Sequence, residues 1–405
     1  MKVDAVYVNY WSLRDPLCQS QTLPVLRGLA ARGWRFGLIT FEQPPWRLRP
    51  EERARRAKRL LAEGILWHPL AYHRRPPLLS TAYDILRGSL ACLSWRRRGP
   101  RLLHGRGSVA AAVAYLGSRL LRCAFFNDAD GPLSQEYVDA GIWAGGSLAH
   151  HCADRAERLF LKASDVTAVL TERRREEVAT LSSGPVIVLP CAVDTELFEA
   201  DPSARSSRRA ELGVTGTLLV YAGKFGGWYL GAKVVEFAAA ARDVIGDVTL
   251  LVLTTESGEA FEASARRLGV ELRLRQSTRA EMPHWLSAAD AGLSLILSSP
   301  SKRACSPIKN GEYLACGLPL VTTPGIGDYS ELVARRRVGV VVRSLDRDGL
   351  TKAAADLVGL LQDPALATRC RAAAIGEVGV RGVVLPRYEA AYVRLLARPA
   401  AHGGA

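Results

Sequence analysis

Residues 306–321 read SPIKNGEYLACGLPLV and carry the signals of a helix followed directly by a strand. Ser306 and Pro307 are typical of a helix start, and Gly317 is typical of the residue just beyond a helix end. The apolar residues after Gly317 indicate that the chain then enters a sheet. The expected elements are a helix over Lys309–Ala315 and a strand over Pro319–Thr322.

The first turn of this helix combines features that suit a diphosphate. The free backbone amides near Ile308 and Lys309 attract negative charge, and the Lys309 side chain adds a formal positive charge. Glu312 follows on the same face, where its carboxylate can accept hydrogen bonds from two ribose hydroxyls. The alternative is a capped surface helix with a Lys309–Glu312 ion pair, which the spacing alone does not exclude.

Strand and helix patterns alternate along most of the 405 residues, which predicts parallel sheets covered by helices on both faces. The predicted strands are Val3–Asn9, Arg35–Thr40, Ile65–Pro69, Leu102–His104, Cys123–Asn127, Val166–Leu170, Val186–Leu189, Leu218–Tyr221, Val248–Leu253, Leu272–Leu274, Ala291–Leu297, Pro319–Thr322 and Gly339–Val342. The other predicted helices are Thr22–Arg32, Glu51–Glu63, Val109–Leu121, Leu148–Lys162, Glu172–Thr180, Leu230–Val244, Phe261–Leu268, Met282–Ala288 and Leu350–Leu361.

The chain is too long for one ordinary core, and its second half restarts the rhythm of the first. A stretch with proline, serines and charges, 190–212, supplies a natural break. We therefore expect an α/β domain over 1–195, a linker over 196–213, a second α/β domain over 214–375, and a C-terminal helix within 376–405 that packs back on the first domain. Ligands of such sheets bind at the carboxyl ends of the strands, so the expected site faces a cleft between the domains.

Several protein classes are disfavoured by what the sequence lacks. No GxGxxG follows the first strand and no GxxxxGK[ST] occurs, which argues against dinucleotide-dependent dehydrogenases and P-loop enzymes. The eight cysteines form no C-x-x-C pair, so no disulfide framework, metal or permanent cofactor is expected. No apolar run reaches the roughly 18 residues of a membrane span and the first residues do not resemble a signal peptide, so the expected location is cytoplasmic.

The net charge of +14 is distributed unevenly, with 15 Lys or Arg and 4 Asp or Glu between Arg47 and Arg106. Such a surplus attracts an anionic membrane, nucleic acid or a phosphorylated substrate. The alternative is a coding bias that places arginine on solvated surfaces without a function. The basic helix around Arg53, with Trp46 and Trp95 as interfacial anchors, predicts peripheral contact with the inner face of an anionic membrane. Nucleic acid is not an expected partner, because no recognisable nucleic-acid module accompanies these residues.

The pattern S-P-x-K-x-x-E-Y-L-A-C-G-L-P-L-V resembles the donor-site motif of retaining glycosyltransferases of family 4. Further matches follow in the expected order: LCQSQ at 17–21, LITFE at 38–42, DVTAVLT at 165–171, VIVLPCAVDTELF at 186–198 and YAGKFGGWY at 221–229. The resemblance implies the GT-B fold, in which two Rossmann-like, doubly wound domains face each other across a cleft. It also implies transfer of a hexose-type sugar, with retention, from a nucleoside-diphosphate sugar to a glycan, lipid-linked or small-molecule acceptor.

The donor-site roles of that family carry over to matching positions. Gly223 and Lys224 correspond to the phosphate loop, and the diphosphate-binding turn corresponds to Ser306, Ile308 and Lys309. Glu312 matches the glutamate that binds ribose. Family members often have a second glutamate eight residues earlier that contacts the donor sugar, and Ala304 stands there, so the contact to the sugar is in question.

The resemblance also assigns residues in the first domain. The HGR turn of His104 and Arg106 resembles one that lines the reaction centre, where arginine can stabilise a leaving diphosphate or bind an acidic acceptor. Asp128 matches an acceptor-site aspartate, and Asp130 stands where an arginine is expected. Asp128 and Asp130 together imitate the metal-binding D-x-D of the other glycosyltransferase fold, GT-A, but the surrounding pattern is that of GT-B and no metal is expected.

Two alternatives to an active transferase remain at this point. Ala304 and Asp130 favour a catalytically impaired scaffold that binds a nucleotide sugar or acts as a partner subunit. A sugar-nucleotide epimerase shares the fold, although the pattern around Glu312 favours transfer. If the protein is a transferase, lysines and helix amides are expected to stabilise the leaving diphosphate, and no dedicated carboxylate nucleophile is required.

Overall fold

The computed structural model describes residues 1–397, which form two compact units. The first unit consists of Met1–Ala192 and the segment that begins at Val384, and the second is Val193–Val383. The remaining part of the predicted C-terminal helix, residues 398–405, lies outside the described residues.

Each unit is built on one sheet, and all paired strands run parallel. The strands of the first unit are β1 (Ala5–Asn9), β2 (Phe36–Glu42), β3 (Ile65–Ala71), β4 (Leu102–Arg106), β5 (Ala124–Ala129), β6 (Val166–Val169) and β7 (Val186–Val188). Those of the second unit are β8 (Thr217–Ala222), β9 (Val248–Leu253), β10 (Glu271–Arg275), β11 (Ala291–Ser294), β12 (Leu320–Thr322) and β13 (Gly339–Val341).

Helices connect the strands of both sheets. They are α1 (Leu23–Ala31), α2 (Pro50–Ala62), α3 (Pro77–Leu93), α4 (Ser108–Leu121), α5 (Leu133–Asp139), α6 (Leu148–Ala163), α7 (Glu172–Ala179), α8 (Pro202–Leu212), α9 (Gly231–Ile245), α10 (Glu259–Leu268), α11 (Met282–Ala288), α12 (Ile308–Ala315), α13 (Tyr329–Arg336), α14 (Arg347–Leu361), α15 (Leu366–Val378) and α16 (Leu385–Ala397). Among the helices of residues 1–397, none combines the length and the apolar character that a membrane span requires.

Both sheets are doubly wound. The order in the first is β3-β2-β1-β4-β5-β6-β7, and in the second it is β10-β9-β8-β11-β12-β13. The direction of winding therefore reverses between β1 and β4 in one unit and between β8 and β11 in the other. Loops leaving the carboxyl ends of two such strands diverge and leave room for a ligand. The structure thus defines one such position in each unit.

The apolar runs of the sequence account for the sheets. Every residue of β9 is buried, and in β8 the run Leu218–Tyr221 is buried on both sides. Strands covered by helices on both faces need such apolar stretches, whereas strands with one solvent-exposed face alternate apolar and polar residues. Each of the thirteen strands observed in residues 1–397 overlaps a predicted one.

Several helices were not predicted, and α8 lies inside the expected linker 196–213. Proline in this stretch indicates a loop, but Pro202 occupies the first helical turn, where proline is tolerated. The Asp201 carboxylate caps the helix by accepting hydrogen bonds from the amides of Ser203 and Ala204. The other unpredicted helices are α3, α5, α13 and α15.

The C-terminal helix α16 packs within the first unit. Leu385 lies against Gly28 of α1 so closely that a side chain at Gly28 would collide with it. Glu389 forms an ion pair with Arg32 at 2.7 Å, and Tyr392 is fully buried. These contacts bring α16 to the carboxyl ends of β4 and β5.

Candidate functional site

Helix α12 is attached to the end of β8 through both backbone groups of one residue. The Ala222 amide donates to the Tyr313 hydroxyl at 2.7 Å, and the Ala222 carbonyl accepts from the Lys309 ammonium group at 3.2 Å. Gly292 of β11 lets the Tyr313 ring approach, because a Cβ there would lie 2.3 Å from the ring. The start of α12 therefore sits where the winding of the second sheet reverses.

Lys309 is a buried cation with aromatic neighbours. Only 7% of the residue is exposed, and its ammonium group lies 4.3 Å from the Tyr221 ring centre and 4.6 Å from that of Tyr229. Within residues 1–397 no carboxylate lies at ion-pair distance from it. Burial accordingly lowers the pKa of Lys309 to about 7. A buried ammonium group without a counter-ion is suited to an anionic ligand.

The loop after β8 passes over Lys309. Gly223 has φ +151°, and a Cβ at this position would lie 2.9 Å from the Tyr221 hydroxyl and 3.2 Å from the Lys309 ammonium group. The neighbouring Lys224 is exposed, and its carbonyl accepts a hydrogen bond from the Tyr221 hydroxyl at 2.6 Å. The Gly223 turn therefore lies against the Lys309 ammonium group, and Lys224 follows in the same loop with its side chain exposed.

Glu312 makes a different ion pair from the one its spacing suggested. Its Oε1 accepts from Arg279 Nη1 at 2.9 Å, and Arg279 stacks over the Phe198 ring at 5.1 Å. Burial raises the pKa of Glu312, and the Arg279 guanidinium opposes that rise. All residues from Lys309 to Ala315 are buried, so the alternative of an exposed helix with a Lys309–Glu312 pair is wrong.

The other predicted donor residues flank the helix start. Ser306 is buried just before α12, and Ile308 is half-buried against the apolar cluster beneath the helix. As the first residues of α12, Ile308 and Lys309 have amides without intrahelical acceptors. Ala304 is buried in a short 3-10 helix, Pro300–Ala304.

Two residues of this region were not predicted from the sequence as part of the site. Arg279, the partner of Glu312, is one of 46 arginines and has no distinguishing pattern around it. Lys302 is buried, with its ammonium group 4.0 Å from the centre of the Trp228 ring. The same loop thus carries two aromatic residues, Trp228 and Tyr229, that each face a buried lysine.

In the first unit two of the predicted residues, His104 and Arg106, contact one carboxylate oxygen of the third, Asp128. Asp128 Oδ2 lies 3.3 Å from His104 Nε2, 2.9 Å from Arg106 Nη1 and 2.6 Å from the Tyr388 hydroxyl of α16. His104 Nδ1 lies 2.7 Å from the Tyr392 hydroxyl. His104, Arg106 and Asp128 are all buried, and neither tyrosine was predicted to belong to this cluster.

Burial and charge settle the protonation of this cluster. Burial alone would raise the pKa of Asp128, but Arg106 and the hydrogen bonds from His104 and Tyr388 lower it to about 2. Burial lowers the pKa of His104 despite Asp128, so the imidazole is neutral at neutral pH. The single proton then lies on Nε2, which donates to Asp128, and Nδ1 accepts from Tyr392. Asp128 Oδ1 and Arg106 Nε have no hydrogen-bond partner among the described residues.

Asp130 lies near this cluster and differs from Asp128 in its charge state. Asp128 Oδ2 is bound by Arg106 and Tyr388, whereas burial raises the pKa of Asp130 to about 7. Within residues 1–397 no three His, Cys, Asp or Glu side chains come together as metal ligands would.

The prediction that Trp95 anchors the protein at a membrane interface is wrong. Its ring is only 3% exposed and packs against Gly37 of β2, so it belongs to the core of the first unit. Trp46 is half-buried in a short 3-10 helix, Pro44–Trp46.

Solved structures share this fold over nearly the whole chain. A sucrose-phosphate synthase from Thermosynechococcus elongatus is 16% identical and has a TM-score of 0.72, covering 98% of this chain and 100% of that one. A glycosyltransferase from Rickettsia africae is 12% identical with a TM-score of 0.73 and the same coverage. HepE from Anabaena, solved in complex with UDP and glucose, is 14% identical with a TM-score of 0.67, covering 96% and 99%. The fold is therefore GT-B, as predicted from the sequence.

Residues 216–360 match the protein family described as glycosyl transferases group 1. The matched region runs from β8 into α14 and contains Gly223, Lys309 and Glu312. No curated protein sequence matches the chain.

Proposed function

We propose that the protein transfers a sugar from a nucleoside-diphosphate sugar to a hydroxyl of a glycan, lipid-linked or small-molecule acceptor, with retention of configuration at the anomeric carbon. The donor would bind to the second unit at the start of α12. The match of residues 216–360 to glycosyl transferases group 1 supports this class of reaction. HepE, which shares the fold, binds UDP and glucose, and this supports the class of donor.

The observation that carries the proposal is the buried ammonium group of Lys309, which lies beside the loop of Gly223 and at the start of a helix. Its charge and the free amides of α12 would bind the diphosphate, with Lys224 at the exposed edge. Ser306 precedes the same turn. Glu312, held by Arg279, would accept hydrogen bonds from the ribose hydroxyls.

The reaction breaks the bond between the anomeric carbon and the diphosphate oxygen, and the acceptor oxygen forms the new bond on the same face. The proton of the acceptor hydroxyl passes to the departing diphosphate oxygen, and negative charge develops on the diphosphate as its bond to the sugar breaks. Lys309 and the helix amides stabilise this charge most strongly in the transition state, which is the contribution that accelerates the reaction. No carboxylate nucleophile is needed in this scheme.

The buried cluster of the first unit would act on the acceptor side. Asp128 Oδ1 and Arg106 Nε are the polar atoms of the cluster without partners, and an acceptor hydroxyl or an acidic acceptor group would satisfy them. His104 would hold the Asp128 carboxylate in position through Nε2. We retain catalytic roles for Arg106, His104 and Asp128 as part of the proposal.

Calorimetry with a panel of nucleotide sugars, combined with a donor-hydrolysis assay, tests the proposal. Lys309→Ala and Glu312→Ala should each lower turnover about a hundredfold, which corresponds to a loss of transition-state stabilisation on the order of 3 kcal/mol per group. Lys352→Ala, an exposed lysine of α14, is the matched control and should retain full activity. Wild-type rates in both site variants would contradict the site assignment.

The second candidate is a nucleotide-sugar-binding scaffold with impaired catalysis. Ala304, where the family often has a glutamate, and Asp130, where it has an arginine, are the observations that favour it. Tight binding of a nucleotide sugar without hydrolysis or transfer to any acceptor would support the scaffold over the enzyme.

A further inference from the structure

Helix α3 has its small and polar residues inside and its leucines outside. Its buried side is formed by residues four apart in the chain: Ser80, Asp84, Gly88 and Cys92. Gly88 allows this close packing, because a Cβ there would lie 2.9 Å from Phe41 and 3.0 Å from Val113. Cys92 packs equally closely against Gly117 of α4. Apart from the partly buried Ile85, the helix therefore packs on the core without its large apolar side chains.

The outer side of α3 is a continuous apolar stripe. Its members are Leu78, Leu79, Tyr83, Leu86, Leu90 and Leu93, which are between 38% and 70% exposed. Spacings of three and four residues place them along one face of the helix. Leu116 and Leu120 of the neighbouring α4 are also exposed. Exposed apolar areas of this extent mark interaction surfaces on otherwise folded proteins.

The segments that carry the stripe are basic and nearly free of acid. Asp84 is the only Asp or Glu between residues 74 and 122. Its carboxylate is fully buried and is bound by the Tyr10 hydroxyl at 2.9 Å and the His73 ring at 2.6 Å. Exposed arginines stand before α3, after it and at the end of α4: Arg74, Arg75, Arg96, Arg97, Arg119 and Arg122.

We propose that the outer face of α3 is a docking surface for an anionic lipid bilayer. The leucines would enter the acyl boundary while the arginines contact the headgroups, as in helices that lie in the membrane interface. The excess of exposed arginine in these segments favours this partner over a second copy of the chain, because a symmetric contact would bring the arginines of two copies together. An anionic bilayer complements both the apolar and the charged features.

This surface differs from the one that the sequence suggested, which combined the basic helix α2 with Trp46 and the buried Trp95. The proposal does not depend on the transferase function, since lipid binding is measured without donor or acceptor. A protein that fails to bind vesicles could still transfer sugar, and one that binds them could lack turnover.

Co-sedimentation of the whole protein with vesicles tests the proposal. Wild-type protein should bind phosphatidylcholine vesicles that contain phosphatidylglycerol, and not vesicles of phosphatidylcholine alone. The double variant Leu86→Ser/Leu90→Ser should reduce the partition coefficient at least about tenfold, because removing even one buried leucine has an effect of that size. Arg96→Gln/Arg97→Gln should also reduce binding, and added salt should weaken it in the wild type.

The matched control is Ile142→Ser/Leu148→Ser, which changes two side chains of the first unit that are 59% and 74% exposed and lie outside α3 and α4. It should bind as the wild type does. Circular dichroism should show unchanged folding for both double variants, because all four side chains are exposed. Absence of wild-type binding to anionic vesicles, or equal binding by Leu86→Ser/Leu90→Ser, overturns the proposal. Self-association that this variant abolishes, without vesicle binding, overturns it in favour of a second copy.

Discussion

The ammonium group of Lys309 donates to the Ala222 carbonyl at 3.2 Å, and this contact joins the first turn of α12 to the end of β8. The charge is buried beside two tyrosine rings and near the Gly223 loop. Burying this charge without a counter-ion costs free energy, and an anionic ligand can offset that cost. Donor binding and stability should therefore both depend on the charge of Lys309.

Donor binding should be linked to proton uptake. Burial lowers the pKa of Lys309 to about 7, so at about pH 8 most of the free protein carries the neutral amine. A bound diphosphate favours the ammonium form and raises this pKa, so the complex gains a proton. Calorimetry in two buffers with different ionisation enthalpies measures the uptake. Lys309→Arg, which stays charged, should bind without it, and a wild-type complex that forms without uptake would contradict the assignment.

The stability of the free protein should rise with pH because of the same residue. The unfolded chain binds a proton at Lys309 up to about pH 10.5, whereas the folded chain loses it at about 7. The cost of burying the charge is complete below pH 7 and is relieved between these values. Relative to Lys309→Met, the wild type should gain about 2 kcal/mol of unfolding free energy between roughly pH 7 and pH 9. Urea denaturation of both proteins at the two pH values checks this, and parallel curves would disprove it.

Arg279 should position Glu312 for the donor. Arg279→Met leaves the Glu312 carboxylate buried without its cation, so its pKa rises further and it becomes a poorer acceptor for ribose hydroxyls. We expect about tenfold weaker donor binding and, because the pair is partly exposed, a stability loss of only about 1 kcal/mol. Adding Glu312→Gln should recover the stability but not the binding. Recovery of both would show that the pair is purely structural.

Gly223 should tolerate no side chain. In Gly223→Ala the new Cβ meets the Tyr221 hydroxyl at 2.9 Å and the Lys309 ammonium group at 3.2 Å, and the φ of +151° is unfavourable for alanine. We expect a loss of about 1–2 kcal/mol of stability and a larger loss of donor affinity. Gly226→Ala in the same loop has nothing within 4 Å and serves as the control. Thermal unfolding and calorimetry should separate the two variants, and equal donor affinity would argue against a role for this turn.

Tyr388 should stabilise the first unit through Asp128. Tyr388→Phe removes a buried hydrogen bond of 2.6 Å to a carboxylate, which should cost about 1–3 kcal/mol at neutral pH. Because the pKa of Asp128 is lowered from 3.8 to about 2, its contribution is complete above 3.8 and is lost as the pH falls toward 2. The difference between wild type and variant should shrink over that range. The exposed Tyr83→Phe should match the wild type, and a difference independent of pH would point to packing instead.

The positions of the strands along the chain and of helix α12 could be predicted from the sequence alone. Strands such as Val248–Leu253 are buried on both faces and, apart from Thr249, consist of consecutive apolar residues that can be recognised in the sequence. The start of α12 follows from Ser306, Pro307 and Gly317, which act on neighbouring backbone groups. Lys309 and Glu312 could be singled out for the same reason, because they stand at fixed distances from that start.

The partners of these residues depend on contacts between distant parts of the chain. Arg279 lies 33 residues before Glu312, and Tyr388 lies 260 residues after Asp128. The burial that lowers the pKa of Lys309 and the packing that turns the leucines of α3 outward likewise arise only when sheets and helices assemble. Local patterns specify which elements form, whereas the charge state and exposure of a side chain depend on everything packed around it.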